Sequence, residues 1–252
     1  RSSAVGEDCD FSFAGQYASF LNVGGDEILE RYRDVLASKF TPKAIYYMLS
    51  HDLSEGESAM GVCCLEMVDA AASGVVYSRD PVNPDGGCVV VNAIFGLGQY
   101  LVDGTLTPDL YCVKRDGGGV AAVEIARKPV ALVRAPGGGT VEEVVPEEKR
   151  RRPALTDRQA EALAEYAVKL EEHYGAPQDM EFAVDGTGRI YLLQTRPLRV
   201  REPRSEGGEP PDLSGTEPLL QGGMVICPGA GCGPVYRADS PADLEHLPDG
   251  AI

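Results

Sequence analysis

The sequence predicts an α+β fold with a largely antiparallel sheet, and three observations lead there. Apolar runs of strand length, at 59–68, 73–77 and 88–95, are set apart by turn residues such as Asn83-Pro-Asp-Gly-Gly87. Residues 110–146 read as further short strands joined at the triplets Gly117-Gly-Gly119 and Gly137-Gly-Gly139. Helical periodicity is confined to the first fifty residues and to 156–175.

The elements follow in order. Between Asp26 and Phe40, Ile28, Leu29, Tyr32, Val35 and Leu36 recur at helical spacing. Thr41-Pro42 is an N-cap followed by proline at the first helical position, opening a second helix that runs to about Leu53. Cys63-Cys64 reads as two small apolar side chains in a strand. Each glycine triplet lies between strand-like runs with no helix start after it, which favours hairpin tips over phosphate loops. The charged run 147–152 is a solvated connection. Thr156 and Gln159 form a capping box, Ala160, Leu163, Ala167, Leu170 and Tyr174 make a buried stripe, and Gly175 closes the helix. Residues 201–215 are rich in Pro, Gly, Glu and Ser, as a linker is. Residues 1–200 are therefore expected to form one domain and 201–220 a linker, with 221–252 opening a second domain too short to fold alone.

Composition narrows the function. The chain has 252 residues and a net charge of −16, which disfavours nucleic acid and anionic membranes as partners. No stretch approaches the ~20 apolar residues of a membrane span, and no signal peptide is visible. Seven cysteines scattered through apolar runs suggest reduced, buried thiols and a cytoplasmic location. Cys227 and Cys232 lack two further ligands for zinc, since His51, His173 and His246 stand far apart. The first residue is Arg1 rather than Met, within what reads as a motif, so a longer parent protein is expected.

The stretch 178–197 reads as two strands around the turn Asp185-Gly-Thr-Gly188. Alternation places Met180, Phe182, Val184, Tyr191 and Leu193 on a core face. Asp179, Glu181, Gln194 and Arg196 share the other face, with Asp179 opposite Gln194 if no bulge intervenes. Two readings of that face stand side by side. One is a magnesium–phosphate site, with carboxylate and amide oxygens for the metal and a guanidinium fork for phosphate. The other is a surface salt-bridge cluster worth about 0–1 kcal/mol. Near the N-terminus, Arg1-Ser2-Ser3, Glu7-Asp8 and Ser12-Phe-Ala-Gly15-Gln16 supply an arginine, hydroxyls and a glycine that can approach a polyphosphate.

These pieces, together with Phe20-Leu-Asn-Val23, resemble the ATP-grasp domain of the phosphoenolpyruvate synthase and pyruvate phosphate dikinase family. Collinear matches continue at Glu66-Met-Val68, Ser73-Gly-Val-Val-Tyr-Ser-Arg-Asp-Pro81, Gly96-Leu-Gly98, Gly104, Pro108-Asp109 and Glu171-Glu-His-Tyr-Gly175. Asp179-Met-Glu181, Leu193-Gln-Thr-Arg-Pro197 and Cys227-Pro-Gly-Ala complete the set, the last resembling the entry to a swivelling phosphohistidine domain. The resemblance implies transfer of the β-phosphoryl of ATP to a histidine on that domain and then to pyruvate. It implies that Arg1 and Arg196 clamp phosphates and that Glu181 and Gln194 ligate Mg2+, supported by Asp179. Ser2 would join the phosphate contacts, and Cys64, Leu65, Glu66 and Met67 would line the adenine pocket. The family's phosphate-binding lysine and phosphohistidine motif would lie outside 1–252, so this stretch alone is expected to be inactive. Gln99 stands where the family usually has glutamate, and Leu65 where it often has glutamine. A rifampin phosphotransferase, a glucan water dikinase or a degenerate nucleotide-binding module would share this half; the acceptor and any homo-oligomer are left open.

Overall fold

A computed structural model describes residues 1–4, 16–51, 59–198, 234 and 236. The chain divides into two compact units, Arg1–Val200 and Arg201–Ile252. Apart from 234 and 236, the second lies outside the described residues, as do Glu7-Asp8, Ser12–Gly15, Cys9, Cys227, Cys232 and the expected linker.

The first unit is a mixed helix and antiparallel-sheet structure. Its centre is a six-stranded sheet in the order β10-β9-β3-β4-β5-β6. The strands are β3 (Ala70–Tyr77), β4 (Cys88–Phe95), β5 (Asp109–Lys114), β6 (Val120–Glu124), β9 (Gln178–Asp185) and β10 (Ile190–Pro197). Two small two-stranded sheets accompany it: β1 (Ser2–Ala4) with β2 (Met60–Val62), and the hairpin of β7 (Val130–Arg134) with β8 (Thr140–Val144). The glycine triplets fall between β5 and β6 and between β7 and β8, at hairpin tips as expected.

Alternation makes the sheet two-sided. On one face, Val76, Val89, Val91, Ala93, Tyr111, Val113, Met180, Phe182 and Val184 are buried under α4 (Asp157–Tyr174), which contributes Ala160, Leu163, Ala164 and Ala167. The capping box at Thr156 and Gln159 forms, and Gly175 closes α4 in the left-handed conformation. Tyr174 is exposed, however, and Glu171 takes the buried position one turn after Ala167. Gly74 is fixed by close approach, because a Cβ there would collide with the Asn92 carbonyl and the Phe182 ring.

The N-terminal helices are α1 (Ile28–Ala37) and α2 (Pro42–Ser50), and Thr41 Oγ1 caps the second by accepting from the Ala44 N–H. Val35, Ala44 and Met48 are buried, while Ile28, Leu29 and Tyr32 stay exposed.

Three further sequence expectations change. The strand expected over 59–68 is limited to Met60–Val62, because its pairing with β1 ends at Ser2↔Val62 and the two backbone bonds between Cys63 and Arg1. Cys63 and Cys64 are exposed free thiols, and Cys88 and Cys112 are half-buried free thiols. In the third, a bulge between Leu192 and Gln194 resets the hairpin register: Ile190 pairs Val184 and packs against the core, Tyr191 moves to the opposite face, and Thr195 pairs Met180.

Candidate nucleotide site on the open face of the sheet

The face of the sheet away from α4 carries two parallel rows. Gln194, Glu181, Val75, Asn92 and Leu110 are cross-strand neighbours in one. Arg196, Asp179, Tyr77, Val90 and Cys112 form the next. The bulge therefore corrects the expected pairing: Gln194 stands opposite Glu181, and Arg196 opposite Asp179. All four polar residues still share one face, because the extra residue Leu193 turns Gln194 and Arg196 back toward it.

The position of Asp179 is set by a buried ionic knot at the start of β9. Glu171 accepts from Ser78 Oγ (2.6 Å), Arg79 Nε (2.9 Å) and both terminal nitrogens of Arg115 (3.0 Å each). Ser78 Oγ in turn accepts from the Gln178 N–H at 2.8 Å, fastening β9 to β3 and α4. Burial works against the Glu171 charge, but the bonds from Ser78, Arg79 and Arg115 outweigh it and hold the carboxyl below its ordinary range.

At the site, Arg196 Nε and Nη2 both donate to Asp179 Oδ2, at 2.8 and 2.7 Å. Burial nevertheless pushes the Asp179 carboxyl above its ordinary value; Arg196 pulls it back and the Glu181 charge adds to the rise. Burial likewise raises Tyr77, with the Asp179 charge as a further cause.

Arg1 reaches the same face from β1. Its Nη1 lies 3.2 Å from Glu181 Oε2, while its backbone nitrogen donates to the Cys63 carbonyl at 2.9 Å and its own carbonyl accepts from the Cys63 N–H at 2.9 Å. Gln194 Oε1 is buried with no hydrogen-bond partner. An unpaired buried amide oxygen beside a carboxylate is the arrangement a hard cation would complete. Among the described residues no group of three or more His, Cys, Asp and Glu forms a metal cage, so these donors would be one carboxylate and one amide.

Of the other expected residues, Ser2 is half-buried in β1. Cys64, Leu65 and Glu66 are exposed and Met67 half-buried, in a stretch outside any strand between β2 and β3. Gln99 opens the short helix α3 (Gln99–Val102). Sequence reasoning did not single out Tyr77 or Asn92, which complete the open face. The available signal for Asn92 was one amide inside the apolar run 88–95.

Comparison with known proteins decides the family, since residues 1–214 match the model of the pyruvate phosphate dikinase AMP/ATP-binding domain. The chain belongs to this family. The family's relatives include a probable phosphoenolpyruvate synthase of Archaeoglobus fulgidus, 36% identical over 255 residues, covering 100% of this chain and 34% of that protein. The phosphoenolpyruvate synthase of Escherichia coli is 34% identical over 266 residues, again covering 100% of this chain and 34% of the relative. A rifampicin phosphotransferase of Streptomyces is 40% identical over 208 residues, 82% of this chain and 24% of that protein. The chain thus spans about a third of the length of the synthases it matches. Among the described residues no helix is long and apolar enough to cross a membrane.

Proposed function

We propose that residues 1–200 are the ATP-grasp portion of a cytoplasmic phosphotransferase that passes the β-phosphoryl of ATP to a histidine on a swivelling domain, then to pyruvate. The observation that carries the reading is the buried, unpaired Gln194 Oε1 directly opposite Glu181. Those two oxygens would hold Mg2+, which when bound neutralises charge on the phosphate oxygens. Arg1 and Arg196, each resting on a carboxylate of this face, exchange those partners for phosphate oxygens and clamp them as planar forks. Asp179 orients Arg196. Ser2 extends the phosphate contacts, and the backbone of Cys64, Leu65, Glu66 and Met67 reads the edge of the base. Catalysis on this reading is positioning and charge neutralisation, with no covalent step on these side chains.

In the full-length protein, Glu181→Ala is expected to abolish Mg2+-dependent formation of AMP from ATP, measured by chromatography. Normal turnover would remove Glu181 from the site. The 40% identity to a rifampicin phosphotransferase supports a second reading, in which the same ATP half serves a rifamycin acceptor. Supplying pyruvate and rifampicin in turn separates the two.

A further inference from the structure

Asn92 stands mid-way along β4 on the face away from α4, in the row of Glu181 and Gln194, with Val75 between it and Glu181. It is 8% exposed, and its Oδ1 has no hydrogen-bond partner. No donor among the described residues bonds it, the Tyr77 hydroxyl on the diagonal included. Val75, Val90 and Ile94 on the same face are buried and apolar, and the Ser73 hydroxyl diagonal to it is committed to the Gly96 carbonyl at 2.7 Å. A strand otherwise built of Cys, Val, Ala, Ile and Phe would be more stable with an apolar residue here, because an unpaired buried amide loses its hydration without compensation.

An acceptor needs a donor, and phosphate oxygens are acceptors. The Glu181–Gln194 pair begins two strand spacings away, about 10 Å across the sheet. On the Mg·ATP reading above, on which this inference rests, the nucleotide offers donors only at its adenine amino group and its ribose hydroxyls. The base belongs to the Cys64–Met67 stretch on that reading, which leaves the sugar. We infer that Asn92 Oδ1 accepts a hydrogen bond from a ribose hydroxyl of the bound nucleotide, making Asn92 a specificity residue for ribonucleotide over deoxyribonucleotide. The bond compensates an amide that the unliganded fold leaves unpaired, so it forms only when nucleotide is present.

The test is calorimetric titration of the full-length protein with ATP, 2′-deoxy-ATP and 3′-deoxy-ATP in Mg2+, repeated on Asn92→Leu, with thermal unfolding of both proteins without nucleotide. At least one deoxy analogue is expected to bind wild type about tenfold or more weakly than ATP, the loss of one buried hydrogen bond. In Asn92→Leu, ATP should weaken by a similar factor and the analogue should no longer be distinguished, while the melting temperature without nucleotide holds or rises. The analogue series on wild type needs no variant, and Asn92→Ser provides a second one if leucine disturbs packing. Equal binding of all three nucleotides by wild type, or discrimination that survives in the variants, would overturn the inference while leaving the Mg·ATP reading intact. A wild-type protein that binds none of the three would overturn both.

Discussion

Asp179 is pulled in opposite directions by burial and by Arg196, and burial wins. Its folded pKa lies above its unfolded value, so the folded state holds a proton more tightly than the unfolded one. Ionised at neutral pH, the carboxylate detracts from stability, and the deficit is relieved as pH falls through the raised value. Asp179→Asn removes the charge altogether. Its melting temperature relative to wild type should therefore be more favourable at pH 8 than at pH 4, and a difference independent of pH would contradict the assignment. A residue that costs stability where it stands is a common mark of a functional position. Asp109 makes the opposite case: it is fully buried, pairs with the buried Lys128, and accepts from the N–H groups of Ala126 and Ala154 at 2.9 and 2.7 Å. All these partners are protein groups, so this motif residue binds the turns together rather than facing a ligand. Asn22 is similar, its amide donating to the Ala135 and Gly139 carbonyls at 2.8 and 2.7 Å to hold the β7–β8 tip.

Among the elements, the helix α4 was readable because its signals are local: a capping box at Thr156, an apolar stripe and a closing glycine at Gly175. The β9–β10 hairpin was readable in composition but not in register. The apolar run Ile190-Tyr-Leu-Leu193 breaks strict alternation, and this is the only trace the bulge leaves in the sequence. The polar set survived the error because the face of Asp179 and Glu181 is fixed by β9 alone. The stretch 63–67 was misread as strand because apolar content does not reveal whether a partner strand exists. Since α4 covers the face opposite the site, the two faces are separable by mutation. Leu163→Ala should lower unfolding free energy by about 2–5 kcal/mol in urea titrations, with the affinity for Mg·ATP unchanged. A matching loss of affinity would mean that the faces are not independent.

Across the whole molecule, a protein of net charge −16 is asked to hold a polyanion. Long-range electrostatics work against it, so on the proposed reading the attraction is local, from two guanidiniums and a cation on one sheet face. Composition disfavoured nucleic acid as a partner but could not indicate this. It became visible only when the strand pairing gathered residues from 1, 179–181 and 194–196. The central claim is that Gln194 and Glu181 form a metal–phosphate site rather than a polar edge of the sheet. Calorimetric titration of Mg·ATP into the full-length protein and its Gln194→Leu variant tests it most directly. The account predicts saturable, Mg2+-dependent binding that weakens at least about tenfold in the variant, with thermal stability in the absence of nucleotide unchanged or improved. Equal affinity in the two proteins would contradict it.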